Sequence, residues 1–67
     1  MSKLPERLKE LRGERKITQQ DIANMLNVNR VTYTCWESGK HEPDLEQLIT
    51  LSQYFKVSLD YLAGRVN

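Results

Sequence analysis

The stretch ITQQDIANMLNVNRVTY, residues 17–33, holds two helix starts in quick succession. A helix begins well where a short polar side chain accepts from first-turn amides. It gains further when the apolar residue before that cap packs on one five positions later. Thr18 stands between Ile17 and Ile22, with Asp21 placed to complete a capping box, and Asn29 stands between Val28 and Tyr33. The first start predicts a helix over about 19–26, and the second caps the next helix, so only Asn27 and Val28 connect them. So short a corner needs one residue with positive φ, for which Asn is second only to Gly. It also forces a steep crossing with a small side chain where the helices meet, and Ala23 is placed for that. The pattern predicts a helix-turn-helix.

The same device recurs downstream. Asp44 follows Pro43 and precedes Gln47 and Leu48; Ser58 sits between Val57 and Leu62, with Asp60 in a first turn where the helix dipole favours an anion. Upstream, Leu4, Leu8 and Leu11 share one helical face, with Pro5 in the first turn and Gly13 expected to fray or end the helix. Leu45, Leu48, Ile49, Leu51 and Phe55 form a wide apolar stripe on a helix near 44–55. Gly39 and Pro43 punctuate the longest loop, and Gly64 closes the last short helix. No segment alternates with period two. The expectation is an all-α, compact five-helix fold in one domain, residues 1–67.

At 67 residues and 7.9 kDa the chain has room for a single small core. No apolar run approaches the roughly 18 residues of a membrane span, and the opening MSKLP is no signal peptide. The initial Met and tidy end are those expected of a whole natural product. A lone cysteine, Cys35, excludes a disulfide framework and suits a reducing, cytoplasmic compartment. With no neighbouring His or second Cys to activate it, Cys35 reads as a small side chain rather than a redox switch. His41 has no companion ligands, so no metal site is expected. Ser38, His41 and Asp44 carry the letters of a hydrolase triad but crowd one loop with no oxyanion hole or pocket. The expectation is a binding module, with no enzymatic activity, no cofactor and no small-molecule substrate. Residues 1–40 hold eight basic and five acidic side chains, whereas residues 41–67 hold two and four. The N-terminal part can therefore face a polyanion.

Residues 18–39, TQQDIANMLNVNRVTYTCWESG, resemble the helix-turn-helix of the phage-repressor and Cro group, the Xre family. RLKELR at 7–12, KHEP at 40–43 and KVSLDYLAG at 56–64 extend the likeness over roughly 7–64. Ile22, Ala23, Leu26, Val28 and Trp36 stand where the family places apolar or small residues. Three positions depart: Asn27 replaces the usual turn Gly, Tyr33 replaces Ile or Val, and Cys35 replaces a polar base reader. The Tyr33 hydroxyl then needs water or a partner. The resemblance implies a lambda-repressor-like fold and a transcriptional regulator, most naturally a repressor of phage or mobile-element type. It also implies a largely buried ion pair between Arg12 and Glu37, and a phosphate clamp at Gln19.

With Tyr33 and Trp36 turned to the core, the opposite face of the third helix presents Arg30, Val31, Thr34 and Cys35 to the major groove. Arg30 can donate two hydrogen bonds to guanine, and the other three can pack on thymine methyls. Phosphate contacts are expected from Thr18, Gln19 and Gln20 at the start of the second helix, and from Ser38, Lys40 and His41 after the third. A module this small needs a two-fold dimer on a palindromic operator, with half-sites about 34 Å apart. Leu59, Tyr61, Leu62 and Val66 are the candidate dimer surface. The rival reading is an antitoxin-like or other protein-interaction module in which the C-terminal helix carries the function.

Overall fold

The structure is a computed structural model and describes residues 3–65. Five helices follow in order: α1 Leu4–Arg15, α2 Gln19–Leu26, α3 Arg30–Ser38, α4 Leu45–Phe55 and α5 Leu59–Ala63. No strand occurs among the described residues. All four expected caps form. Thr18, Asn29, Asp44 and Ser58 each accept from the backbone amide three residues on, and Thr18–Asp21 and Asp44–Gln47 close reciprocal capping boxes.

Leu4, Leu8, Leu11, Ile22, Ala23, Tyr33, Trp36, Leu48, Leu51, Phe55 and Leu62 make one core drawn from every helix. The Tyr33 and Trp36 rings meet edge to face, their centroids 5.8 Å apart. Three details depart from the sequence reading. α1 runs through Gly13 to Arg15, and the chain leaves it at Lys16 in the left-handed region, φ 56°. A glycine inside a helix costs about 1 kcal/mol but breaks no hydrogen bond, so packing of the leucine face carries the helix past it. Leu45 and Ile49 stay largely on the surface, because α4 turns only Leu48, Leu51 and Phe55 inward. Leu62 is fully buried. It closes the core and drops out of the candidate dimer surface. Val66 lies outside the described residues.

No described helix is long and apolar enough to cross a membrane.

Candidate nucleic-acid interface

The corner between α2 and α3 is built as the sequence requires. Asn27 adopts φ 60°, ψ 41°, and its amide and that of Val28 turn back to the last carbonyls of α2, with Val28 N–H donating to Ala23 O at 3.0 Å. Ala23, fully buried, lets the two helices approach.

A charged network ties this corner to α1. Arg12 Nε donates to Glu37 Oε2 at 2.7 Å and Nη2 donates to Oε1 at 3.3 Å. Arg12 Nη1 donates to Ile17 O at 3.0 Å, in the loop that leads into α2. Glu37 is 3% exposed and Arg12 25%. Burial pushes the Glu37 carboxyl up, but hydrogen bonds and the opposing Arg12 charge outweigh it, and Glu37 titrates below its usual range. The Glu37 bond in turn raises Arg12. The pair that the resemblance implied is present. Tyr33 turns its buried hydroxyl toward the Glu37 carboxylate without closing a well-formed hydrogen bond within the protein. Burial, reinforced by the Glu37 carboxylate, drives its titration far above the ordinary phenol range, so it stays neutral.

Gln19, the first residue of α2, is held from both sides. Its Nε2 donates to Glu37 Oε1 at 3.1 Å, and its Oε1 accepts from the Thr34 hydroxyl at 3.2 Å. Thr34 also donates to Arg30 O at 2.8 Å, so its proton is engaged within the protein and it shows the outside a methyl and acceptor lone pairs. The Gln20 side chain is tied to Asn24 at 2.8 Å, which leaves its backbone amide as the group free to meet a phosphate. Thr18 Oγ1 accepts from Asp21 N–H at 3.0 Å, while Asp21 accepts from Thr18 N–H and is held below its usual range by that bond. The Gln19 and Gln20 amides face outward at the positive end of the helix, as an anion site requires.

Two recesses flank the start of α3. One, of about 430 Å³, is lined by Arg12, Lys16, Ile17, Thr18, Gln19, Gln20 and Arg30, and is strongly cationic. The other, of about 370 Å³, is lined by Val31, Thr32, Cys35 and His41. Val31 is 68% exposed at its rim. Here the sequence reading is corrected: it gave Cys35 no neighbouring His, yet His41 shares its cleft. Gly39 at φ 81° ends α3, and the amides of Lys40 and His41 fold back onto Cys35 O at 3.0 and 3.4 Å. Six residues beyond Cys35 in sequence, His41 thus returns to the helix it left. Ser38, Lys40 and His41 are exposed, with the Ser38 hydroxyl donating to Cys35 O.

The structure therefore brings Thr18, Gln19, Gln20 and Arg30 together on one side, and Val31, Cys35 and His41 on the other. At the far end of the chain, Leu59 is 39% exposed, while Tyr61 is half-buried with its ring under Arg7, 4.1 Å from the guanidinium carbon. Lys16 and Thr32 line the recesses without having been named as contacts. Lys9 was missed as well, although helical spacing puts it one turn before Arg12, on the side of α1 that meets α3. Among the described residues no group of three His, Cys, Asp or Glu side chains could hold a metal.

The sequence pattern of the helix-turn-helix domain family matches residues 6–67. The chain is 47% identical over 57 residues to the uncharacterized HTH-type transcriptional regulator YqaE of Bacillus subtilis (strain 168), a match covering 85% of this chain and 49% of that protein. Among solved structures it is similar to a transcriptional regulator from Listeria innocua, with TM-score 0.89 and 39% identity, covering 96% of this chain and 60% of that one. It is also similar to the P22 c2 repressor solved in complex with a synthetic operator, with TM-score 0.82 and 36% identity, covering 88% and 89% of the two chains. The chain spans about half the length of curated relatives that it matches.

Proposed function

The chain belongs to the helix-turn-helix domain family, and from that premise we propose that it is a sequence-specific DNA-binding regulator of transcription, acting as a repressor of phage or mobile-element type. The observation that carries this reading is the joint exposure of Arg30 and Val31 beside the outward amides of Gln19 and Gln20. α3 enters the major groove of a duplex. The cationic recess between α2 and Arg30 takes the backbone on one flank, supported by Thr18, and Lys40, His41 and Ser38 take it on the other. Arg30, at the first position of α3, reaches a guanine edge, while Val31, Cys35 and the Thr34 methyl meet thymine methyls. Repression follows from occupancy of the operator.

One such module offers too few contacts for tight, selective binding. Two copies on a palindromic operator answer that, joined through the exposed part of α5, where Leu59 and Tyr61 remain after the loss of Leu62. The chain acts in the cytoplasm, where reducing conditions keep Cys35 a thiol.

The test is selection of bound sequences from random duplexes, followed by titration of single variants. A symmetric motif with half-sites about 34 Å apart is the expected result. Arg30→Ala should cost about 1–3 kcal/mol on the selected duplex and relax preference at one position per half-site. Lys40→Ala should weaken selected and scrambled duplexes alike. If the chain enriches no motif, and neither substitution alters binding to duplex DNA, the proposal fails and a protein-interaction module takes its place.

A further inference from the structure

Resting on the DNA-binding reading above, we infer that Thr34 Oγ1 acts as a hydrogen-bond acceptor in the major groove, and so selects a base that carries an exocyclic amino group there, N6 of adenine or N4 of cytosine. A hydroxyl alone has no such preference, because it donates or accepts as its surroundings allow. Here a chain of bonds that begins on α1 decides. The Glu37 carboxylate, met by Arg12 Nε at 2.7 Å, can only accept. It therefore draws the nitrogen end of the Gln19 amide to itself, Nε2 to Oε1 at 3.1 Å, and leaves Gln19 Oε1 to face Thr34. That oxygen, 3.2 Å from Thr34 Oγ1, again only accepts, as does Arg30 O at 2.8 Å. Whichever of the two takes it, the single Thr34 proton stays inside the protein. What Thr34 offers outward is oxygen lone pairs and a methyl group.

Thr34 is placed to use them. It is half-buried on the wall of an open cavity of about 150 Å³ where α1, α2 and α3 meet, shared with Lys9, Gln19, Glu37 and Ser38. Four residues after Arg30, it lies one turn further along the same face of α3 as that exposed side chain. To donate to a base, Thr34 would have to give up both internal acceptors for one external one, and Gln19 Oε1 would lose its donor. Guanine and thymine turn keto oxygens to the major groove and would meet another acceptor; adenine and cytosine turn amino groups there. An A·T pair suits both halves of the side chain, since its thymine brings a methyl to the Thr34 methyl. On one face of α3, then, Arg30 at the first turn supplies donors and Thr34 at the second supplies an acceptor.

The experiment uses the full chain on its selected duplex, with base analogues that delete one group at a time, read by fluorescence anisotropy. Purine in place of adenine, or pyrimidin-2-one in place of cytosine, removes the amino group; uracil in place of thymine removes only the methyl. At a position near the one that Arg30→Ala relaxes, deleting the amino group should weaken the wild-type chain about two- to tenfold per half-site. Which analogue does so tells adenine from cytosine. Thr34→Val and Thr34→Ala, which remove the oxygen, should show no such loss. Thr34→Ser, which keeps the oxygen, should show it in full while losing part of any uracil effect. If every amino deletion costs the oxygen-free variants as much as wild type, the acceptor assignment is wrong. It is equally wrong if those variants instead lose a preference for guanine or thymine, since the hydroxyl would then be donating. In either case Arg30→Ala still relaxing base preference leaves the DNA-binding reading standing. If the wild-type chain selects no duplex, the reading beneath it has failed instead.

Discussion

Replacing Arg12 with Met strands the Glu37 carboxylate inside the protein, and the expected cost is about 3–5 kcal/mol. A chain of this length has only about 3–10 kcal/mol of stability, so the variant should sit near the edge of folding. Glu37→Gln should cost less, about 1–2 kcal/mol, for a reason visible in the structure. Arg12 is 25% exposed and keeps its bond to Ile17 O, so its charge can turn to water, whereas Glu37 at 3% cannot. Urea denaturation followed by circular dichroism measures both. The pH dependence makes the test sharper. In the wild-type chain the folded Glu37 value lies below the unfolded one of about 4.3. Its contribution is therefore complete above that unfolded value and is lost as pH falls through the folded one. In Arg12→Met the raising effect of burial is no longer outweighed, and the sign reverses. The gap between Arg12→Met and wild type should narrow as pH falls from 7 toward 5. If the two variants cost the same, and that gap is constant with pH, the carboxylate is solvated and the argument from burial is wrong.

The double variant Arg12→Met, Glu37→Leu removes both charges and should recover most of the stability lost in Arg12→Met, yet bind the selected duplex at least several-fold more weakly than wild type, read by urea titration and anisotropy respectively. Tyr33→Phe deletes a buried hydroxyl that closes no well-formed hydrogen bond within the protein and should raise stability by about 1 kcal/mol, seen as a melting temperature some 4–8 °C higher. A fall would mean that the hydroxyl bonds Glu37. Asn27→Ala should cost about 1 kcal/mol, because Asn27 holds φ 60°, while Asn27→Gly should cost almost nothing in the same melt.

The corner and the caps were legible because they are local: which residue accepts which amide depends on neighbours three to five positions away. Thr18, Asn29, Asp44 and Ser58 all behaved so, and α2 fell at Gln19–Leu26 as spaced. What the sequence hid is set by contacts across the chain. Gly13 was misread because the leucine face, packed on other helices, overrides a local helix breaker. Leu62 looked available for a partner because its burial is imposed by α1 and α4. The Cys35–His41 cleft depends on a left-handed Gly39 reversing the chain, and the cavity at Lys9 on three helices meeting. Neither leaves a mark at fixed spacing in the sequence.

The buried pair explains itself only when stability and interface are considered together. Apolar residues at Arg12 and Glu37 would fill the same space without the penalty of desolvating two charges. They would offer nothing to Gln19, whose amide nitrogen would lose its partner and keep only the Thr34 bond at its oxygen, nor to the Ile17 carbonyl at the entrance to α2. A single carboxylate thus joins α1, the first residue of α2 and the last turn of α3, and it does so by hydrogen bonds with fixed directions. Directional bonds between three short helices keep donors on all of them in register, which apolar contacts, indifferent to small slides and rotations, do not. Among the described helices, none longer than twelve residues, this network and the Gln19–Thr34 bond supply such directional links.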